Sequence, residues 1–332
     1  MDIKSKLRPF YVAKILYERT DENHYLTIVQ IMEQLKKGYD ISTSRGTVAN
    51  DIKVLQEVGM EIEVEQSTQN RYYLIARKFD LPELKMLVDA VESARFIPKE
   101  KSAVLVEKLL SLSSKFEASK LIRNVDVENR IKSDNNKIYY IMDALNNAIN
   151  KKRKVSFQYY TYNVNKEKVL RHDGEFYILS PYKLIWNGDY YYVVGYSEKH
   201  GNIGNFRVDR IVTTPVVLSE EAHEQPKSFN LNVYLNSMFR MYNSERKQVE
   251  LVCENSVVEA IIDKFGKDIE VQVINTQTFS VVVSASVGHV FYSWIFGFGG
   301  KVSIKSPNDV KDEYIKMVEE TAEVLKKVKT KQ

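Results

Sequence analysis

The sequence is short of the residues and runs that announce a chemistry by themselves. It has a single cysteine, Cys253, among 332 residues, so neither an intrachain disulfide framework nor a CxxC metal site can form. Cys253 falls in the strand-like run 249–254, where a packed free thiol is expected. No stretch approaches the roughly 18–20 uninterrupted apolar residues that a membrane helix needs. Met1 to Phe10 carries charges and is followed by no apolar segment of the signal-peptide kind, so the expected address is the cytoplasm. The histidines, His24, His172, His200, His223 and His289, show no metal-ligand spacing among themselves. Gly297-Phe298-Gly299-Gly300-Lys301 is phosphate-friendly in composition but lacks the Walker spacing and its Ser/Thr partner; a turn ending a helix is expected there. No nucleophile sits in a recognisable elbow. His172 beside Asp173 invites a general-base role, but a solvent-exposed loop histidine is the plainer reading. These absences nominate no metal, no cofactor and no catalytic residue, and a protein that is not an enzyme is expected.

Charge is present and unevenly distributed. The net charge is +4, only mildly basic. Residues 1–78 hold 12 Lys/Arg against 11 Asp/Glu, whereas residues 119–172 hold 12 against 5. A clustered excess of that size suits a polyanionic partner.

Periodicity divides the chain into an α+β, multidomain arrangement. Residues 1–78 read as three helices and a hairpin. Val12, Ile15 and Leu16 share one helical face. Thr27 with Gln30 forms a capping box before Ile28, Ile31 and Leu35, with Gly38 expected to end that helix. Ser44 caps the next helix, whose Val48, Ile52 and Leu55 face inward, and Gly59 closes it. Two β-rich runs, 61–65 and 71–76, flank the polar turn Gln66–Asn70. A helical connector follows over 79–150, with Pro82 suited to a first turn. Residues 151–220 alternate aromatic and β-branched residues in short strands with an Asn187-Gly188 hairpin turn, the pattern of a small barrel. Residues 226–332 read βαββαβ with a long last helix, a ferredoxin-like pattern.

The N-terminal block points to double-stranded DNA. A capped helix with one buried face leaves Gly46, Thr47, Asn50 and Lys53 on the other, with Ser44 and Arg45 at its start. Such a helix enters the major groove by its first turns. There Arg pairs with guanine and Asn with adenine. The hairpin tip, with Gln69, Asn70 and Arg71, is placed for phosphate or the minor groove. This is the layout of a winged helix-turn-helix; an inert three-helix packing module is the plainer alternative. One such helix reads little sequence alone, so a homodimer on an inverted repeat is expected.

Within the β-rich block, three segments resemble the WYL family. Ser180-Pro181-Tyr182-Lys183-Leu184 is similar to its proline-tyrosine strand. Tyr191-Tyr192-Val193-Val194-Gly195-Tyr196 resembles the strand that names it, with Tyr for Trp and Val for Leu. Phe206-Arg207-Val208-Asp209-Arg210-Ile211 resembles its closing signature. Trp294 to Gly299, followed by Pro307, is similar to the C-terminal extension that members often carry. The resemblance implies a bacterial, ligand-responsive transcriptional regulator. Its 151–220 segment would be a small Sm-like β-barrel, with Tyr182, Tyr191, Arg207, Arg210 and Lys154 reading a nucleic-acid or nucleotide effector. Gly204 stands where the family often has Arg, which thins the positive cluster. Guanidinium groups suit phosphate and flat aromatic faces suit bases. Arg207 and Arg210 lie on opposite faces of an ideal strand, so they share a site only if the strand ends or bulges between them. Otherwise one of them is structural, and an Arg210–Asp209 ion pair is the plainer alternative for Arg210. A nucleic-acid-binding accessory protein modulating a defence or CRISPR machine is the alternative function.

Overall fold

The structure is a computed structural model and describes residues 3–123, 132–227, 229 and 245–329. The chain divides into two compact units, Met1–Ile138 and Tyr139–Gln332.

In the first unit, helices α1 (Ile3–Arg19), α2 (Ile28–Tyr39) and α3 (Arg45–Glu57) pack with a sheet of β1 (Leu26–Thr27), β2 (Ile62–Glu65) and β3 (Arg71–Leu74). The strand order is β1-β3-β2, antiparallel throughout. Val12, Ile15 and Leu16 of α1, Ile31 and Leu35 of α2, and Val48, Ile52 and Leu55 of α3 are buried in one core with Ile62, Tyr72 and Leu74. The capping box at α2 forms: the Thr27 amide donates to Gln30 Oε1 at 2.8 Å, and the Gln30 amide donates to Thr27 Oγ1 at 3.3 Å. Gly38 does not end the helix. Asp40 caps it in the left-handed region (φ 53°), and its amide reaches back to the carbonyls of Leu35 and Lys36. Asp tolerates that conformation because its short polar side chain bonds locally. Beneath α3, Asp51 is buried and receives Nε and Nη2 of Arg8 at 2.5 and 3.1 Å, so α1 and α3 are joined by charge as well as by packing.

Three further helices complete this unit: α4 (Leu81–Ser93), α5 (Lys99–Leu110) and α6 (Lys115–Arg123). Pro82 does lie in the first turn of α4, where its missing N–H costs nothing. Polar contacts fasten these helices to α1. Tyr17 donates to the Leu112 carbonyl at 2.9 Å, Ser114 donates to buried Asp21, and Arg77 donates to the carbonyls of Tyr17 and Thr20 at 2.7 Å.

The second unit begins with α7 (Ile138–Asn150) and continues into a five-stranded antiparallel sheet. Its strands are β4 (Arg153–Phe157), β7 (Tyr177–Asn187), β8 (Tyr190–Ser197), β9 (Asn202–Arg207) and β10 (Val216–Glu221), in the order β10-β4-β7-β8-β9. A short hairpin, β5 (Tyr160–Tyr162) with β6 (Lys168–Leu170), lies between β4 and β7. A bridge between Tyr159 and Ile211 links the chain after β4 to the turn after β9. Phe157, Tyr177, Leu179, Val193, Phe206, Val208 and Ile211 are buried. Two rings of this set, Tyr177 and Phe206, meet edge to face at 5.1 Å. β8 crosses β7 closely at Gly195, where an added Cβ would lie 2.3 Å from the Ser180 carbonyl oxygen.

The last block runs β11 (Arg246–Glu254), α8 (Val258–Phe265), β12 (Val271–Val273), β13 (Thr278–Ser286), α9 (His289–Phe296), β14 (Val302–Ser306) and α10 (Asn308–Lys329). Its sheet order is β12-β13-β11-β14. The element order is the βαββαβ read from periodicity; its expected start near Pro226 leads into 230–244, outside the described residues. Cys253 packs in this core, and burial pushes its thiol up to about 11. Gly297 to Gly300 form the turn after α9. Among the described residues no helix is long and apolar enough to cross a membrane.

Candidate nucleic-acid and ligand sites

The first candidate site is the outer face of α3. Ser44 holds the helix start: its Oγ accepts the Thr47 amide at 3.3 Å and lies 2.7 Å from Thr47 Oγ1. Both hydroxyls therefore serve the cap first. Arg45, Gly46, Asn50 and Lys53 are exposed, opposite buried Val48, Ile52 and Leu55. Arg71 is committed locally. Its Nη1 lies 3.2 Å from Glu65 Oε1 and its guanidinium sits 4.3 Å over the Tyr25 ring. It braces the hairpin rather than projecting from it. A groove of about 280 Å³ runs between Thr27 and Ile28 at the start of α2, Arg45 at the start of α3, and Gln69 and Asn70 at the hairpin tip. Two helix N-termini and an arginine around one groove make an anion-accepting surface. The part played by Thr27 and Ile28 was not legible in sequence, because the hairpin tip and the start of α2 meet only through the β1–β3 pairing.

The second candidate site is the other face of β7, β8 and β9, where Ile185, Tyr192 and Val194 are buried in a second small cluster with Tyr190, Ile203 and Phe229 packed against it. Register aligns Ile185 with Tyr192 and Tyr192 with Arg207. Side chains alternate along β8, so Tyr190, Tyr192, Val194 and Tyr196 share this face and Tyr191 takes the other. Arg207 is fixed from three sides. Its guanidinium lies 3.2 Å over the Tyr190 ring. Nε and Nη2 donate to Asp209 at 3.1 and 2.7 Å. Its amide donates to the Tyr159 hydroxyl at 3.1 Å. Burial disfavours the charged Arg207, but the Asp209 carboxylate outweighs it and the guanidinium stays charged above its ordinary range. Burial pushes the Tyr159 hydroxyl up to about 12 and the Tyr192 hydroxyl in the same direction.

The expected ligand residues are not all brought together. Tyr182 stands at the β7 bulge between Pro181 and Lys183; its hydroxyl donates to the Glu224 carbonyl at 3.3 Å and its ring is 6.4 Å from Phe229. Tyr191 stacks with Trp186 at 6.1 Å, away from Arg207. Lys154 is 2.9 Å from Glu198 and 3.1 Å from Glu220. Its hydrogen bonds to Glu198 and then Glu220 raise its pKa, so its charge is already answered. Asp209 pairs with Arg207. The strand ends at Arg207 and Val208–Arg210 forms a 3-10 turn. The period-two alternation that would part the two arginines therefore stops between them. Arg210 acts on the hydroxyls of Tyr159 and Tyr192 through its charge. Tyr190 and Tyr192, absent from the sequence-level list, flank Arg207; their alternation with Tyr191 was the available signal.

The site thus lies on a five-stranded antiparallel sheet with a tyrosine-flanked arginine at the end of one strand. Residues 140–216 match the family model of the WYL domain, so this chain carries a WYL domain there. Among solved structures it is similar to Proteasome accessory factor B/C (PafBC) of Arthrobacter aurescens, at 16% identity and a TM-score of 0.28, over 93% of this chain and 46% of that one. The chain thus spans about half the length of that relative (46%). It is also similar to a CRISPR Cas-related protein, at 13% identity and a TM-score of 0.37, over 97% of this chain and 85% of that one. No curated protein matches the chain significantly.

Proposed function

We propose that the chain is a DNA-binding transcriptional regulator whose WYL domain senses a nucleic-acid or nucleotide effector. In this reading residues 1–78 are a winged helix-turn-helix on a double-stranded operator and 79–150 a connector. Residues 151–220 are a Sm-like sensing barrel, and 226–332 a ferredoxin-like block that helps hold a homodimer. The protein works in the cytoplasm and is not an enzyme. The observation that carries the reading is α3, a helix capped at Ser44, buried on one side and exposed at Arg45, Gly46, Asn50 and Lys53 on the other. Exposed Asn and Arg in the first turns of a helix are the donor sets that read adenine and guanine edges.

Footprinting with purified protein on the DNA upstream of its own coding region tests this. A bounded, sequence-specific footprint is expected. Asn50→Ala is expected to weaken specific binding by about 1–3 kcal/mol while leaving nonspecific binding and folding intact. Unchanged affinity for a mapped operator removes Asn50 from base reading. The absence of any specific footprint favours the second reading, an accessory protein that docks on another defence machine through the same helices. The near balance of 12 Lys/Arg and 11 Asp/Glu over residues 1–78 speaks for that reading, since nonspecific DNA affinity is largely electrostatic.

For the effector, Arg207→Ala is expected to spare operator binding and abolish the response to short oligonucleotides. The site must bind the effector differently in two states, because equal affinity shifts no equilibrium. An oligonucleotide that alters operator affinity equally in wild type and Arg207→Ala rules Arg207 out as the reader.

A further inference from the structure

A second cluster of cationic side chains lies at the far end of β8 from Tyr190 and Arg207. The turn before β7 brings Arg171 and His172, and the turn between β8 and β9 brings Lys199 and His200. Between them stands Tyr177. The imidazole of His172 is 5.7 Å from the Tyr177 ring and that of His200 is 6.2 Å from it, with the two imidazoles 6.4 Å apart. Lys199 Nζ lies 5.7 Å from the same ring. Tyr177 is 1% exposed, and its buried hydroxyl has no hydrogen-bond partner. Burial raises the pKa of that hydroxyl, and the charges of Arg171, Lys199 and Glu175 act on it as well. A buried hydroxyl without a partner carries a desolvation cost that a ligand acceptor would remove.

We infer that Arg171, His172, Lys199 and His200, with the Tyr177 hydroxyl as donor, form an anion site for a tetrahedral phosphate. The exposed imidazoles cover the hydroxyl and move aside to admit an oxyanion, which then receives the tyrosine proton in a hydrogen bond and the imidazoles as flanking donors. The inference does not rest on the effector reading of Arg207. The charged groups around the site set its pH dependence. Lys199 pairs with Glu175 at 2.5 Å, and Asp173 follows His172 in the same turn. Glu198, next to Lys199, is turned to Lys154 and His223. With neutral imidazoles, Arg171 and Lys199 are matched by Asp173 and Glu175. Protonating both histidines gives the site a net positive charge. Burial first, then His172, Lys199 and Arg171, hold the His200 pKa below its ordinary value. A bound anion reverses that repulsion, so binding takes up protons and strengthens as pH falls.

The test is a titration of the full-length protein with inorganic phosphate, following the His172 and His200 ring resonances. Sulfate, a dianion throughout, is titrated in parallel to separate histidine protonation from that of phosphate itself. Saturable shifts at both rings are expected, tighter at about pH 5.5 than at about pH 7.5 for both anions, as imidazole protonation predicts. Tyr177→Phe is expected to fold as wild type and bind about ten-fold more weakly, the scale of one charge-assisted hydrogen bond. The double variant His172→Gln, His200→Gln is expected to lose the pH dependence, and Arg207→Ala to bind phosphate normally. A trinucleotide with and without a 5′-phosphate identifies the source. Shifts by inorganic phosphate and by the phosphorylated strand support a site for a terminal phosphate, and shifts by inorganic phosphate alone support a site for the free anion. No saturable shift at either histidine, or equal affinity in wild type and Tyr177→Phe, overturns the assignment.

Discussion

Replacing Gly195 with Ala is expected to disrupt the WYL domain. The new Cβ would stand 2.3 Å from the Ser180 carbonyl oxygen and 2.9 Å from Pro181 Cα. Both are backbone atoms, so no side chain can swing away to make room. Gly195 pairs with Pro181 on one side and Gly204 on the other, which holds the crossing in the middle of the sheet. Relief requires β7 and β8 to separate, breaking their register at the bulge that carries Tyr182. Overpacking usually costs about 1–3 kcal/mol, and a backbone clash without an escape route belongs at about 4 kcal/mol or more. Hydrogen exchange on the full chain should show lost protection across β7 and β8, with α1–α3 unaffected. Wild-type protection in β7 and β8 would mean that the close approach is not required.

Asp51→Ala is expected to have the next largest effect, in the other unit. The Asp51 side chain is 5% exposed and that of Arg8 is 17% exposed. Removing the carboxylate strands a largely buried guanidinium, and breaking such a pair from one side costs about 3–5 kcal/mol. The damage falls on α3 itself, so operator binding should fall with stability even though Asp51 faces away from the proposed DNA surface. Exchange protection of the α3 amides reports the loss directly. The double replacement Arg8→Met, Asp51→Leu should recover most of it, because an apolar pair of similar volume leaves no buried charge unpaired. A loss below about 1 kcal/mol for Asp51→Ala would show the pair to be solvated in practice.

What the sequence made legible follows the range over which each signal acts. Val48, Ile52 and Leu55 declared the buried face of α3 because helical periodicity is local, and the Thr27 capping box spans only three residues. The C-terminal βαββαβ order was readable for the same reason. β1 was not: Leu26–Thr27 is too short for any alternation, and it becomes a strand only by pairing with Tyr72 and Arg71. At the candidate ligand face, the alternation of Tyr190, Tyr191 and Tyr192 was visible, but which side would meet Arg207 depended on the β8–β9 register. The partners of Lys154 lie on β10 and just after β8, and no local pattern brings Glu220 and Glu198 to it. The strand end that the sequence argument named as its condition falls between Arg207 and Arg210, at the 3-10 turn Val208–Arg210, and no local pattern marked it.

The tether of Arg207 has a mechanical meaning. The residue that would grip an effector is the last of β9, its carboxylate partner lies in the turn that follows, and its own amide hangs on Tyr159, the residue that bridges to Ile211. Grip and tether therefore belong to one residue, the guanidinium on Asp209 and the backbone amide on Tyr159. Any ligand that pulls Arg207 from Asp209 slackens the seam joining the end of β9 to the chain after β4, and any ligand that accepts Arg207 where it stands tightens that seam. The stiffness of this end of the sheet, rather than a distant relay, would register occupancy, and the guanidinium would meet its ligand with most of its orientational entropy already spent.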